Sequence, residues 1–315
     1  MKKLLCAVAA ALTVTSALAW PGKPVTMLVP FPPGGSTDAV ARILAQVLTQ
    51  SLGQPVLVEN RPGADGAIAG ELVARAEPDG YTFFLASNTP MMQVPLLKKN
   101  PPYDPIKSFT PVSLVGRYIY VFVASSQLPA QNANELFALV RQQPGKMNYG
   151  SYSGVTQLMF TRLKQESKLD LNLIPYKGES PTVNDILGGH LQMTFATPTS
   201  ALPHIQSGKL RAMAVLLPSR FSLLPQVPTA VEAGLPPLTA GTWAALFGPA
   251  KLPPEIAQRM SRELAAAMAR PDVRERVDKL GFDLASSTPA ELAAFLPEQL
   301  QAWSKAFADA GMQPE

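Results

Sequence analysis

The chain is poor in the residues that build disulfides and metal sites, with one cysteine and two histidines among 315 residues. A lone cysteine excludes a disulfide within the chain and structural zinc held by several thiolates. Two isolated histidines leave little from which to assemble a transition-metal centre. An excess of one charge is also missing: 27 basic residues stand against 23 acidic ones, and the basic ones are scattered. The footprint of a nucleic-acid binder is therefore absent. Long apolar runs are lacking too. The one candidate, Leu4 to Val14, is too short to span a bilayer.

That run follows Lys2 and Lys3 and leads to Ala17-Leu18-Ala19, the small-x-small pattern read by a signal peptidase. Residues 1–19 are therefore expected to be an export signal cleaved between Ala19 and Trp20, leaving a soluble periplasmic protein. Cys6 lacks the small residues of a lipoprotein site and would leave with the signal. Lys2 and Lys3 would leave as well, so the remaining chain would be nearly neutral. It is still long enough for two domains held by core packing alone.

What is present is organised around Val25-Thr26-Met27-Leu28-Val29-Pro30-Phe31-Pro32-Pro33-Gly34-Gly35-Ser36-Thr37-Asp38. A β-branched, apolar run reads as a buried strand, passes through a Gly-Gly-Ser-Thr loop, and opens into a helix. Such a junction aims backbone N–H groups and the positive end of a helix dipole at one point. It reads either as an anion-binding loop or as an ordinary strand–helix turn. Further strands are predicted at Val56 to Val58 and at Tyr81 to Ala86, with helical patterns between, which argues for a parallel sheet with helices on both faces. A Pro-rich loop is expected from Pro90 to Pro111, then one or two extended segments from Val112 to Ser125.

A second series of strands and helices follows, ending near Leu217. The stretch Pro218 to Pro237 reads as a return linker, Trp243 to Phe247 as a strand, and three helices close the chain without further strands. The expected fold class is thus α/β, a hinged two-lobed protein whose chain crosses twice between two domains, with a cleft between the lobes. Residues 20–120 and 238–315 would form the first domain, and 121–237 the second, including the linker.

The second series has its own junction, Tyr149-Gly150-Ser151-Tyr152-Ser153-Gly154-Val155-Thr156. If the lobes face one another, two helix N-termini meet across one cleft, an arrangement suited to a ligand with an anionic end. Enzymatic patterns fit poorly. Tyr152 occupies the centre of Gly150 to Gly154, where a nucleophile elbow needs serine. Neither His190 nor His204 is well placed as a base. Gly34-Gly35-Ser36-Thr37 has no lysine and is not a P-loop.

Phe31 to Asp38, Glu59 to Ala64, Glu77 to Thr82, Pro175 to Gly178, Pro203 to Arg211 and Val227 to Gly234 taken together resemble the tripartite tricarboxylate transporter substrate-binding family, also called the Bug proteins. The resemblance implies an α/β fold of the two-domain periplasmic binding protein type, with two crossover segments and the ligand cleft between the domains. The resemblance implies a periplasmic receptor whose two loops hold a carboxylate through backbone N–H groups and hydroxyls, and which serves transporter membrane subunits. It implies ligand-binding roles for Phe31, Gly34, Gly35, Ser36 and Thr37; for Ser87 and Asn88; for Ser151, Tyr152, Ser153, Gly154 and Thr156; and, less directly, for Tyr176 and Thr197. No cofactor, metal or nucleic acid is implied, and a monomer is expected. Asp38 is expected to cap its own helix, and Arg61 to be structural.

Many relatives carry an aspartate-asparagine pair where this chain has Ala196-Thr197-Pro198, so a ligand amine would lose its partner there. Tyr152, in place of a smaller residue, can stack on a flat ligand or simply pack. Together these features lean towards a carboxylate without an amine, with an aromatic acid as one form. A hydrolase or lyase acting on a small anion is the alternative from another class, and a chemosensory ligand-binding protein is a third.

Overall fold

The computed structural model describes residues 20–236, 238 and 241–314, so the predicted export signal and its cleavage site lie outside the described residues. Strand β1 (Val25–Val29) runs into helix α1 (Ser36–Leu52), whose apolar residues Val40, Ile43, Leu44, Val47 and Leu48 share one buried face. Gly53, at φ 70°, ends that helix in the left-handed conformation glycine adopts without strain. Strand β2 (Val56–Asn60), helix α2 (Ala67–Ala74) and strand β3 (Thr82–Ser87) follow. The predicted loop after Pro90 is not a plain loop. It opens with a π-turn at Thr89–Gln93 and the short helix α3 (Val94–Leu97), whose prolines sit early enough in each turn to cost no hydrogen bond.

Strand β4 (Phe109–Tyr118) leaves this first sheet and passes through Ile119 and Tyr120 into β5 (Val121–Ser125) of the second. Next come α4 (Ala133–Gln142), β6 (Asn148–Ser151), α5 (Gly154–Ser167), β7 (Asn172–Pro175), α6 (Glu179–Leu187), β8 (Met193–Ala196), α7 (Pro198–Gln206) and β9 (Leu210–Val215). The chain then returns as β10 (Trp243–Pro249), α8 (Pro254–Ala269), α9 (Pro271–Asp278), β11 (Phe282–Leu284) and α10 (Pro289–Asp309). The strand β11 corrects the expectation of helices alone after Phe247. It is three residues long and adds to the edge of β4, too short to leave a periodic signal.

The sheets are ordered β11-β4-β10-β3-β1-β2 and β7-β6-β8-β5-β9. Both are mixed, not parallel as the β-α-β order suggested. Strand β10 lies antiparallel between β3 and β4, and β5 lies antiparallel between β8 and β9. Both are strands by which the chain enters a sheet from the other lobe, so they start at the boundary where their neighbours end and run against them.

One face of the first sheet packs on α1, α8 and α9 through residues such as Val29, Leu44, Leu246, Met260 and Val277. The other apolar cluster is continuous from Phe84, Trp243 and Phe247 to Phe122, Phe160 and Phe195 of the second sheet. The lobes therefore share a core below the cleft. Among the described residues no helix is long and apolar enough to cross a membrane.

Candidate functional site

The parallel strands β1, β3, β6, β7 and β8 all end at the boundary between the two sheets, where open α/β sheets leave room for ligands. A cavity of about 60 Å³ lies there. That is room for the centres of roughly four to six waters, enough for a small organic molecule. The first lobe supplies Phe31, Gly35, Ser36 and Thr37 from the loop after β1, Ser87, Asn88 and Thr89 after β3, and Tyr118 and Thr242. The second supplies Tyr152, Ser153, Glu179, Ser180 and Thr197, and Tyr120 stands on the connection between the two sheets.

The first loop is held from behind. Asp38, in the first turn of α1, accepts the Gly34 N–H at 3.0 Å and an Arg42 bond at 3.0 Å. Asn60 Nδ2 donates to both Phe31 O and Asp38 Oδ1 at 3.0 Å. Burial pushes the Asp38 carboxyl up, but hydrogen bonds from Arg42, Gly34 and Asn60 outweigh it and hold it below the usual carboxylate range. Asp38 thus ties down the loop from inside its helix, with Gly35 as the N-cap. The neighbouring Arg61 is spent on a surface ion pair with Glu59. With the loop fixed, Ser36 Oγ is buried in the cavity wall without a hydrogen-bond partner, while Thr37 Oγ1 lies 2.6 Å from the Tyr118 hydroxyl.

The second loop is built differently. Ser153 caps α5, and its hydroxyl accepts the Thr156 N–H at 3.3 Å. Thr156 Oγ1 lies 2.9 Å from Ser151 Oγ and accepts the Tyr152 N–H at 3.2 Å. The Gly154 N–H donates to Gln93 Oε1 of the first lobe at 2.5 Å. Of the expected residues here, Tyr152 and Ser153 line the cavity; Ser151, Gly154 and Thr156 do not, because their polar groups satisfy one another or Gln93. Gly34, with its N–H on Asp38, lies outside the lining as well. Tyr176 also falls away from the cavity. Its hydroxyl donates to Asp185 at 2.6 Å, and burial first, then Asp185, pushes it up to about 12.

Besides the hydroxyls of Ser180 and Thr242, three ionisable groups of the lining escaped the sequence reading. Tyr118 and Tyr120 stand two residues apart on the crossover, so both face the cavity while Ile119 packs into the second lobe. Burial raises both phenols, and that of Tyr152, above the ordinary tyrosine value, which keeps them neutral donors. The Tyr152 hydroxyl is a second buried group short of a regular hydrogen bond, and the Tyr120 phenol is the side chain that approaches it.

The third group is Glu179, at the start of α6. It accepts the Thr197 N–H and the Ser200 hydroxyl in short bonds, and the Thr197 hydroxyl at 2.9 Å. The loop after β7 obeys the same strand-end rule as the two glycine loops, a signal that was available at Gly178-Glu179. Burial pushes the Glu179 carboxyl up to about 6, although the Ser200 and Thr197 bonds pull it down.

The lobes meet on either side of the cavity. Besides the Gln93 bond, Thr199 Oγ1 donates to Leu280 O at 2.8 Å. Gly281, at φ 63°, lies so close to Pro198 that an added Cβ would stand 2.3 Å from it. Among the described residues no group of three acidic, histidine or cysteine side chains is placed to hold a metal ion.

The model of the tripartite tricarboxylate transporter family receptor matches residues 40–312. Protein BugT of Bordetella pertussis is 36% identical over 299 residues, covering 94% of this chain and 92% of that protein. Among solved structures, the periplasmic binding protein BugD superposes with a TM-score of 0.88 at 34% identity, covering 94% of this chain and all of BugD. MatC of Rhodopseudomonas palustris with bound malate superposes at 0.83 and 30% identity, covering 91% of this chain and 99% of MatC. With two α/β lobes closed on a cavity at their strand ends, the chain belongs to the tripartite tricarboxylate transporter receptor family, the Bug solute-binding proteins of the periplasm.

Proposed function

We propose that the protein captures a small organic acid in the periplasm by closure of its lobes and delivers it to the membrane subunits of a tripartite tricarboxylate-type transporter. The observation that carries this reading is Ser36 Oγ, buried and unpaired in the cavity wall at the N-terminus of α1. An unpaired donor at a helix N-terminus is a seat for a carboxylate oxygen. Thr37, Ser153 and the three tyrosines supply further neutral donors, whose strength depends on water being excluded by closure. Malate in the relative MatC is a ligand of this chemical class. Residues 20–120 with 238–315 would move against 121–237, as a monomer, after removal of the export signal.

A hydrolase or lyase would need a nucleophile beside a base in the cavity. Neither His190 nor His204 lines it, and of the two hydroxyls that bond Glu179 only that of Thr197 lines it, shared between the two carboxylate oxygens. A chemosensory role would use the same capture step. The test is a thermal-shift screen of organic acids followed by calorimetry. The expected result is saturable one-to-one binding of a small carboxylate that is recovered unchanged. Absence of any carboxylate ligand, or its conversion to product, would overturn the reading.

A further inference from the structure

Glu179 is the one feature of the cavity that a receptor for plain carboxylates does not call for. A carboxylate lining the same small space as the ligand repels a second one. Every bond the structure gives Glu179 comes from a neutral donor: the Thr197 N–H, the Thr197 hydroxyl and the Ser200 hydroxyl. A backbone N–H can only donate, so this set favours the ionised form. Among the described residues no lysine, arginine or histidine lines the cavity, and Glu179 takes part in no ion pair. Three of its bonds converge on Oε1, and Oε2 has Thr197 alone, which leaves it room for another donor. The cavity is therefore polarised. A half-buried negative charge without a counter-ion stands on the second lobe, and the unpaired Ser36 hydroxyl with the α1 N-terminus stands on the first.

We propose that the cavity takes a zwitterion, a small molecule with one carboxylate and one ammonium group, the ammonium on Glu179 and the carboxylate at Ser36. The inference rests on the reading of the protein as a carboxylate receptor and narrows it. It reverses the expectation drawn from Ala196-Thr197-Pro198. Thr197 does not leave the cavity without an acidic group; its N–H and hydroxyl hold Glu179 in the lining. Tyr118, Tyr120 and Tyr152 supply aromatic wall, which accommodates an ammonium group better than a second anion.

The experiment compares matched probes by calorimetry. One set is the standard amino acids with β-alanine and 4-aminobutyrate; the other is the same skeletons without the amine, such as propionate, succinate, glutarate and 3-phenylpropionate. At least one amino acid should bind at least about tenfold more tightly than its amine-free partner, because its amine makes a charge-assisted bond. Glu179→Gln, which keeps the shape and can still accept from Thr197 and Ser200, should abolish that preference.

A second readout needs no variant. The groups facing Glu179 are Thr197, Ser200 and the neutral tyrosines 118, 120 and 152, so in mildly acidic solution Glu179 titrates alone. Protonation removes the charge an ammonium needs, so amino-acid affinity should fall about tenfold one pH unit below the Glu179 value. A plain carboxylate should instead bind more tightly as the pH falls, because the repulsion disappears. Equal or better binding of the amine-free acids, with affinity rising on acidification, would overturn the zwitterion while leaving the carboxylate receptor standing. Failure of both sets would remove both readings.

Discussion

The loop from Gly34 to Thr37 and the loop from Gly150 to Thr156 look alike in sequence and use their hydroxyls in opposite ways. Each follows a strand, opens a helix, and combines glycine with serine and threonine. In the first, the bracing comes from outside the loop's own hydroxyls, through Asp38, Asn60 and Arg42, and Ser36 is left unpaired. In the second, Ser151, Ser153 and Thr156 brace one another, and Tyr152 and Ser153 are what reach the cavity. A hydroxyl is free for a ligand only where something else holds the loop. The first loop has an ionised carboxylate for that task; the second has its own hydroxyls and the Gln93 side chain of the other lobe, so Ser153 both braces the loop and lines the cavity.

The largest expected effect falls on the second loop and on stability. Thr156 Oγ1 is fully buried and serves Ser151, Tyr152 and Ser153 together. Thr156→Val keeps the volume and strands those partners, at a cost of roughly 2–3 kcal/mol from unpaired buried groups. Urea unfolding monitored by circular dichroism would measure it. A loss below about 0.5 kcal/mol would mean the loop is held by something other than its own hydroxyls.

Ser36→Ala should behave in the reverse manner. Because Ser36 Oγ has no partner in the empty cavity, its removal should leave the unfolding midpoint unchanged or slightly raised. Ligand affinity should fall by about 1.5–2 kcal/mol, or roughly tenfold to thirtyfold, the weight of one bond to a charged group. Calorimetry with whichever acid the screen returns provides the measurement. If stability falls and affinity does not, the two loops are alike and the comparison is wrong.

The sequence carries the local half of this picture and little of the non-local half. The first junction, the closing helices and the twofold crossing between lobes all follow from apolar periodicity and turn residues within short windows. The antiparallel insertion of β5 and β10 does not, since a strand's direction in a sheet depends on partners such as Ala86 and Ala245, which are distant in sequence. The same limit applies to the site. Ser36 and Thr37 stand out because glycine surrounds them. Glu179 reads as a helix-start acid beside Gly178, and its place in the cavity depends on Thr197 and Ser200, some twenty residues later. The division of labour between the hydroxyls was equally hidden, because a sequence does not record whether Asp38 or a neighbouring serine does the bracing.

The smallest expected effect concerns the glycine amide of each loop that is accepted by a side chain outside the loop. The Gly34 N–H is accepted by Asp38 inside its own lobe, a bond that exists whether the lobes are open or closed. The Gly154 N–H is accepted by Gln93 of the other lobe, so under the proposed capture by closure that bond forms only when the lobes close. Gln93→Ala therefore removes an interaction of the closed state alone; in an open state water replaces it at nearly equal free energy. The expected loss is about 0.5–1 kcal/mol of ligand affinity, a few-fold, with faster release and no change in the unfolding midpoint of the ligand-free protein. Stopped-flow fluorescence, using the native tryptophans or an added lobe label, would separate the rates. A fall in ligand-free stability would mean that closure is the resting state, with Gln93 bracing the second loop as permanently as Asp38 braces the first.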